Sequence, residues 1–371
     1  AGYTFPNGGS LGENIAINGT SGTANETAFT IANHQGLFES APHRLNILST
    51  HFRELGIGIK RGAFLFENQS VPFDSVDATQ NFARSGSKVF ITGVAINDKD
   101  GDNFYDIGEQ RAGVVIDARQ NGALVASDST GTAGGYSIGV TSGSFQVQFH
   151  GGDLTHLVNC SVTANDNVKV DVVNGNEILC SSSVTLGTGA TIATLLGIAN
   201  INATGNSSAN SLIGNSGANQ LSGLDGNDKL LGVLGNDNLL GGAGNDILTG
   251  GKGRDQLRGG AGRDVFDYNA SNESPATASA RDVIKDFFHG SDRIDLSTID
   301  AVTGGSNNAF TFLGRASFSH VAGQLHVVQF NPAGTSLDHT VVEGDVNGDA
   351  VADFQIDLTG LIGFTASDFI L

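Results

Sequence analysis

The chain contains no methionine and begins at Ala1. The chain is therefore expected to be a processed or truncated form that does not begin at a translation start. Basic residues are scarce: 19 Lys and Arg stand against 38 Asp and Glu, a formal net charge of −19. That balance argues against a nucleic-acid partner or an anionic membrane surface, and it suits a cation binder. No apolar run approaches the ~20 residues of a membrane span. With only two cysteines, Cys160 and Cys180, two readings stay open. One is a single disulfide, plausible in a secreted protein; the other is two buried free thiols. Catalytic signatures are missing as well. No histidine begins H-E-x-x-H, and no G-x-S-x-G elbow, phosphate-binding GxxxxGK[ST] or paired-Cys zinc motif occurs.

Glycine, by contrast, is abundant, at 53 of 371 residues, and much of it is periodic. Seven nine-residue units run from Gly205 to Asp267: GNSSANSLI, GNSGANQLS, GLDGNDKLL, GVLGNDNLL, GGAGNDILT, GGKGRDQLR and GGAGRDVFD. Glycine opens every unit. The sixth place is Asn210 and Asn219 in the first two units, then Asp228, Asp237, Asp246, Asp255 and Asp264. The eighth place is a large apolar residue throughout (Leu212, Leu221, Leu230, Leu239, Leu248, Leu257, Phe266). A nonapeptide fits one short strand and one tight turn, so two units predict one coil of a parallel β-helix. Each eighth-place residue then stacks on the one two units away. The turns aim backbone carbonyls and the sixth-place carboxylate at points between coils, and hard oxygens suit Ca²⁺. Units on one edge alternate, which pairs Asp228 with Asp246, Asp246 with Asp264, and Asp237 with Asp255. Three well-equipped sites are expected, with weaker ones at Asn219 and Asn210.

This stretch resembles the RTX (repeats-in-toxin) β-roll, whose pattern is G-G-x-G-x-D-x-apolar-x. Around it, 371 residues leave room for two to four domains. Residues 186–202 are small and apolar, and read as a linker or the roll's N-terminal cap.

Residues 1–85 have a mixed pattern. Thr27–Phe38 reads as a helix, and Ser40 can cap a second with Pro42 in its first turn. FRELGIGIKRGAFLF then alternates like a strand. GENIA, LFESAPHRLNIL and FRELGIGI together resemble bacterial CAP-superfamily (SCP-like) domains. The resemblance implies a partial α-β-α sandwich with a cleft around Glu13 and His43, which match the Glu and one His of the family's motifs; Glu39 could supply a second Glu. The other His would lie before Ala1, so no complete Zn²⁺ site is implied. Ordinary structural roles for Glu13 and His43 remain the alternative.

Residues 86–185 read as short strands with close turn signals, a β-sandwich. Between the first two strands, NDKDGDNFYDIGE places Asp98, Asp100, Asp102, Asp106 and Glu109 at places 1, 3, 5, 9 and 12, with the Phe104 carbonyl at place 7. That is the ligand order of an EF-hand loop, although Asn103 stands where Gly is usual. A Ca²⁺ loop between strands is expected, against a merely solvated acidic turn. The segment resembles the calcium-binding B-type domains of bacterial surface adhesins.

Residues 269–371 carry DVIKDFFHGSDRIDLSTI and EGDVNGDAVADFQIDL, which resemble the C-terminal module of serralysin-type secreted proteins. Asp345, Asn347, Asp349 and Asp353 offer either a further ion site or a structural Asx turn. The final Asp368-Phe369-Ile370-Leu371 resembles the uncleaved signal of type I secretion substrates. Together these resemblances imply a mainly β, multidomain, Ca²⁺-stabilised extracellular protein, structural or adhesive, that folds after type I export. Assembly into a homo-oligomer or filament is a further expectation. The alternative is a CAP effector that binds or hydrolyses a lipid or peptide ligand.

Overall fold

The computed structural model describes residues 11–20, 54–64, 73–83, 88–101, 108–302, 304, 308–331 and 338–371. The chain divides into two compact units. The first comprises Ala1–Phe90, Gly139–Ser142 and Asn165–Asn167, and the second the remainder.

In the first unit, β1 (Leu11–Thr20), β2 (Glu54–Phe64) and β3 (Phe73–Ala83) form an antiparallel sheet in the order β1-β3-β2. Strand β2 falls on the alternating segment that predicted it. Strand β3 was not expected, because Gln80 interrupts the apolar row of Val76, Ala78 and Phe82. The predicted helices over Thr27–Phe38 and from Ser40 lie outside the described residues, as do Glu39 and His43. What is described here is a sheet with Glu13 on its edge strand β1. The partial α-β-α layer is not shown.

The second unit is built on two long sheets. Its sandwich strands are β4 (Val89–Ile96, from Ile91 on), β5 (Val114–Gln120), β6 (Ala123–Ser129), β7 (Gly135–Val140, as far as Ile138), β8 (Gly143–Gly151), β9 (Val158–Ala164), β10 (Val168–Val173), β11 (Glu177–Cys180) and β12 (Val184–Leu186). Six of these (β4 to β8 and β10) carry the turn-bounded runs KVFITGVAI, AGVVIDAR, ALVASD, GYSIGV, SFQVQF and VKVDVV, which read as strands in the sequence. The others, β9, β11 and β12, are short or broken by polar residues. Alternation sets the core: Phe145, Val147 and Phe149 of β8 are all buried while Gln146 between them is exposed. Tyr136 and Phe149 pack edge-to-face, and Tyr136 donates its hydroxyl to the Val170 carbonyl (2.5 Å). Cys160 and Cys180 are both wholly buried and both free, so the thiol reading holds and the disulfide does not. Burial pushes the Cys180 thiol up to about 12, which keeps it protonated and unreactive.

The same two sheets run on into the repeats. One edge carries β13 (Ile192–Leu195), β15 (Ser211–Ile213), β17 (Lys229–Leu231), β19 (Ile247–Thr249) and β21 (Val265–Asp267), each parallel to the last. The other carries β14 (Ala203–Thr204), β16 (Gln220–Asp225), β18 (Asn238–Ala243) and β20 (Gln256–Ala261). Strand β13 pairs with β11, and β14 with β12, so the roll grows directly on sandwich strands. Its core is two apolar columns: Leu212, Leu230, Leu248 and Phe266 in one, Leu221, Leu239 and Leu257 in the other, in register and at most 1% exposed. Each such side chain contributes roughly 1.5–3 kcal/mol by burial.

Strands β22 (Val283–Ile284) and β23 (Arg293–Asp295) extend both columns beyond the repeats, through Ile284 and Ile294. The end is covered by β24 (Thr311–Phe312), the antiparallel β25 (Gln324–Phe330), β26 (His339–Asp345) and β27 (Phe354–Thr359), and the last strand β28 (Phe369–Ile370) beside β23. No described helix is long and apolar enough to cross a membrane.

Candidate metal centre

Each repeat places its sixth residue immediately before an inward-stacking strand, at the turn between sheets. Asp228, Asp237, Asp246, Asp255 and Asp264 are all buried there. One oxygen of each, Oδ1, accepts the backbone N–H of the residue eighteen earlier. Asn210 donates to Asp228 (2.7 Å), Asn219 to Asp237 (2.8 Å), Asp228 to Asp246 (2.8 Å), Asp237 to Asp255 (2.7 Å) and Asp246 to Asp264 (3.0 Å). The structure thus brings together the three pairs that the nine-residue period joined.

The second oxygen, Oδ2, is buried in all five and has no hydrogen-bond partner. Leaving a buried acceptor unsatisfied costs about 1–3 kcal/mol, and more when it carries charge. These oxygens face a cradle that only glycine leaves open. A Cβ on Gly223 would meet both Asp228 Oδ2 and the Gly241 carbonyl oxygen. The same holds for Gly232 with Asp237 and the Gly250 carbonyl, and for Gly241 with Asp246 and the Gly259 carbonyl. Carboxylate and carbonyl oxygens with no nitrogen or sulfur among them form a donor set suited to a hard divalent cation. Without a counter-charge, burial pushes Asp237 and Asp255 up to about 7, and Asp246 and Asp264 up to about 6. Asp228 shifts the same way for the same reason.

The backbone at these turns is strained in a uniform sense. Leu224 and Val233, in the second place of their units, both stand at φ 79°. Positive φ is a marked departure for a β-branched residue such as Val233, of order 1–3 kcal/mol, and such strain concentrates at functional sites.

Asn210 and Asn219, where weaker sites were expected, are hydrogen-bonded within the protein. Asn219 Oδ1 accepts the Asn215 N–H (2.9 Å), and its Nδ2 donates to the Ile201 carbonyl (2.6 Å) and Asn215 Oδ1 (3.1 Å). Asn210 Oδ1 accepts the Asn206 N–H (2.7 Å), and its Nδ2 donates to Asn206 Oδ1 (3.3 Å). Their oxygens and amide nitrogens are occupied by protein, because an amide carries its own donor where a carboxylate has none.

Two residues beyond the repeats were missed by the sequence reading. Asp282 Oδ1 accepts the Asp255 N–H (2.8 Å), and its Oδ2 is again buried without a partner. Burial, then the charge of Asp255, pushes Asp282 up to about 9. Asp292 accepts the Asp264 N–H (3.1 Å) on Oδ1 and the Phe288 N–H (2.8 Å) on Oδ2, which leaves no orphan and closes that column. The available signal was Asp-x-apolar, since Asp282-Val283-Ile284 and Asp292-Arg293-Ile294 repeat Asp255-Gln256-Leu257. Insertions stretch the interval from eighteen to 27 and 28 residues and hide it.

In the EF-like loop, Asp98, Asp100 and Glu109 each bring one carboxylate oxygen within 4.8 Å of the others. Glu109, which is buried, accepts the Lys99 N–H (2.7 Å) on Oε1, and Asp98 accepts the Gly101 N–H (2.8 Å). Asp102, Phe104 and Asp106 lie outside the described residues. The DVNGDAVAD loop closes on itself instead. Asp345 is buried, and its two oxygens accept N–H groups of Asn347, Gly348 and Ala350. Asp353 accepts the Val346 N–H and the Asn347 side-chain amide, while Asp349 accepts the Val351 N–H. These are the bonds that the Asx-turn alternative calls for.

Comparison with known proteins places the roll and its cap. Residues 199–371 match the Peptidase M10 serralysin C-terminal family. This part of the chain, a little under half of it, is similar to that family's serralysin-type, RTX-like domain. No curated protein matches the chain. Among solved structures, it is similar to the AlgE6R3 subunit of the Azotobacter vinelandii mannuronan C5-epimerase, at 24% identity and TM-score 0.26, over 48% of this chain and 82% of that one. It is also similar to the AlgE6R2 subunit of the same enzyme, at 22% identity and TM-score 0.30, over 46% and 92%. The CAP-like and adhesin-like resemblances gain no support from these matches.

Proposed function

We propose that this chain is an extracellular, Ca²⁺-stabilised structural or adhesive protein that is exported unfolded by a type I secretion machinery and folds where Ca²⁺ is plentiful. One observation carries the reading: six buried Oδ2 atoms, on Asp228, Asp237, Asp246, Asp255, Asp264 and Asp282, lack any partner. Asp residues of adjacent coils, together with the facing glycine carbonyls, would hold the ions. Asp98, Asp100 and Glu109 would hold another, with Asp102, Phe104 and Asp106 as further ligands. The serralysin-type match over residues 199–371 supports export.

The physical consequence is linkage. Without Ca²⁺ the orphan carboxylates oppose burial, and the roll stays open enough to thread a channel. Each site then contributes about 2.7 kcal/mol when Ca²⁺ stands at 100 times its dissociation constant. Circular dichroism in millimolar Ca²⁺ and in excess EGTA tests this directly. Most of the β signal of the roll should disappear on chelation and return with Ca²⁺; full retention in EGTA would sink the proposal. Self-association is read by light scattering and negative-stain microscopy under the same two conditions. Ordered particles that dissolve in EGTA support a structural polymer, and a monomer in Ca²⁺ refutes it.

A further inference from the structure

We propose that the first two repeats close on asparagine amides in place of a cation, so that the N-terminal coil folds without Ca²⁺ and templates the carboxylate coils. The inference rests on the cation reading of those later coils and concerns what happens where the carboxylates stop.

Three observations separate the two kinds of turn. The first is side-chain satisfaction. Every sixth-place Asp leaves Oδ2 without a partner, whereas Asn210 and Asn219 leave nothing unpaired. The second is backbone conformation. In the five carboxylate units, the second and fourth places all take positive φ, from Leu224 (79°) and Gly226 (127°) to Gly260 (99°) and Gly262 (148°). In the two asparagine units, Asn206, Ser208, Asn215 and Gly217 do not. The N–H of the second-place residue consequently points inward and donates to the sixth-place amide oxygen, at 2.7 Å for Asn206 and 2.9 Å for Asn215.

The third observation is what bridges one coil to the next. Asn206 Nδ2 donates to the carbonyls of Gly187 (2.9 Å) and Ala190 (2.8 Å). Asn215 Nδ2 donates to those of Leu196 (3.3 Å) and Ala199 (3.0 Å), and Asn219 Nδ2 to that of Ile201 (2.6 Å). A neutral NH₂ group gathers carbonyl oxygens of the coil before it, as a cation would between later coils, with no charge to desolvate. These turns also stand on the sandwich side of the roll, where β13 and β14 pair with β11 and β12. In a stacked array, stability is nearly a sum of units and nearest-neighbour interfaces. A coil that is complete without an ion, and whose strands pair with those of the sandwich, is the natural starting point for the rest.

Hydrogen exchange on the whole protein in EGTA tests this. Amides of residues 211–222 should exchange at least about tenfold more slowly than those of residues 238–258. Equally fast exchange in both segments would overturn the proposal while leaving the cation reading intact. Equally slow exchange would overturn the cation reading, and with it the distinction drawn here. A second measurement guards against a misassigned ligand. Asn219→Ala should bind as many Ca²⁺ equivalents as the unaltered protein in equilibrium dialysis, yet lose its protection at residues 211–222 in EGTA. Loss of a Ca²⁺ equivalent would make Asn219 a ligand and refute the proposal.

Discussion

The two ends of the repeat array use one fold and two chemistries. In the turns at Asn210 and Asn219, an amide supplies both donor and acceptor, and the backbone stays in ordinary conformations. In the turns from Asp228 onward, a carboxylate gives one oxygen to the neighbouring coil and leaves the other bare, while Leu224 and Val233 are held at positive φ. Strand register and the stacked leucines are the same on both sides of this change. The apolar columns therefore define the coil, and the sixth place decides whether the coil is complete by itself. A one-atom difference, NH₂ for O⁻, converts a self-sufficient turn into one that needs a partner.

Substitutions can probe that contrast, beginning with the leucine columns. Leu221→Ala and Leu239→Ala each remove a wholly buried side chain, and each should cost about 2–5 kcal/mol in Ca²⁺ by denaturant unfolding. In EGTA only Leu221→Ala should still change the unfolding of the residual structure. An equal response from both in EGTA would erase the contrast. Next, Asp246→Asn transplants the amide into a turn whose second and fourth places, Gly242 and Gly244, are at positive φ. With no inward N–H to accept and two ion sites depleted, it should lose about 2–3 kcal/mol in Ca²⁺. A neutral result would mean that the carboxylate charge is not needed there.

Val233→Gly should raise stability in Ca²⁺ by about 1 kcal/mol, because glycine meets positive φ without strain. The smallest effect contrasts a bonded buried carboxylate with the orphaned ones. Burial alone would raise the Asp368 pKa. The Thr365 N–H and hydroxyl, the Gly290 N–H and His289 outweigh that and hold it below its ordinary 3.8. A depressed carboxylate contributes stability above its unfolded pKa and loses it as pH falls through the folded one. The thermal midpoint of the unaltered protein should therefore fall more steeply below pH 4 than that of Asp368→Asn; parallel curves would deny Asp368 this role.

Much of the roll was legible in advance because its information is local and repeated. A nine-residue period with glycine first and leucine eighth admits one short strand and one turn per unit. From that follow the coil of eighteen, the stacked columns and the pairing of Asp228 with Asp246. The EF-like spacing was legible for the same reason, and Asp98, Asp100 and Glu109 do converge. Asp282 and Asp292 were not, because insertions broke the period while the register survived. The sequence leaves the state of Cys160 and Cys180 open; in the fold both are buried and free.

The sequence by itself determined the period, the faces and the excess of negative charge, since these depend on residue type and spacing alone. Tertiary structure decided which polar atoms are left without partners. Asn219 and Asp228 occupy the same place in their units, and their roles diverge only through the φ angles of nearby residues and the carbonyls of the adjoining coil. Those are set by what stacks on either side. It also decided that the sandwich sheets continue into the roll, because strand pairing across units is a long-range choice that no single segment specifies.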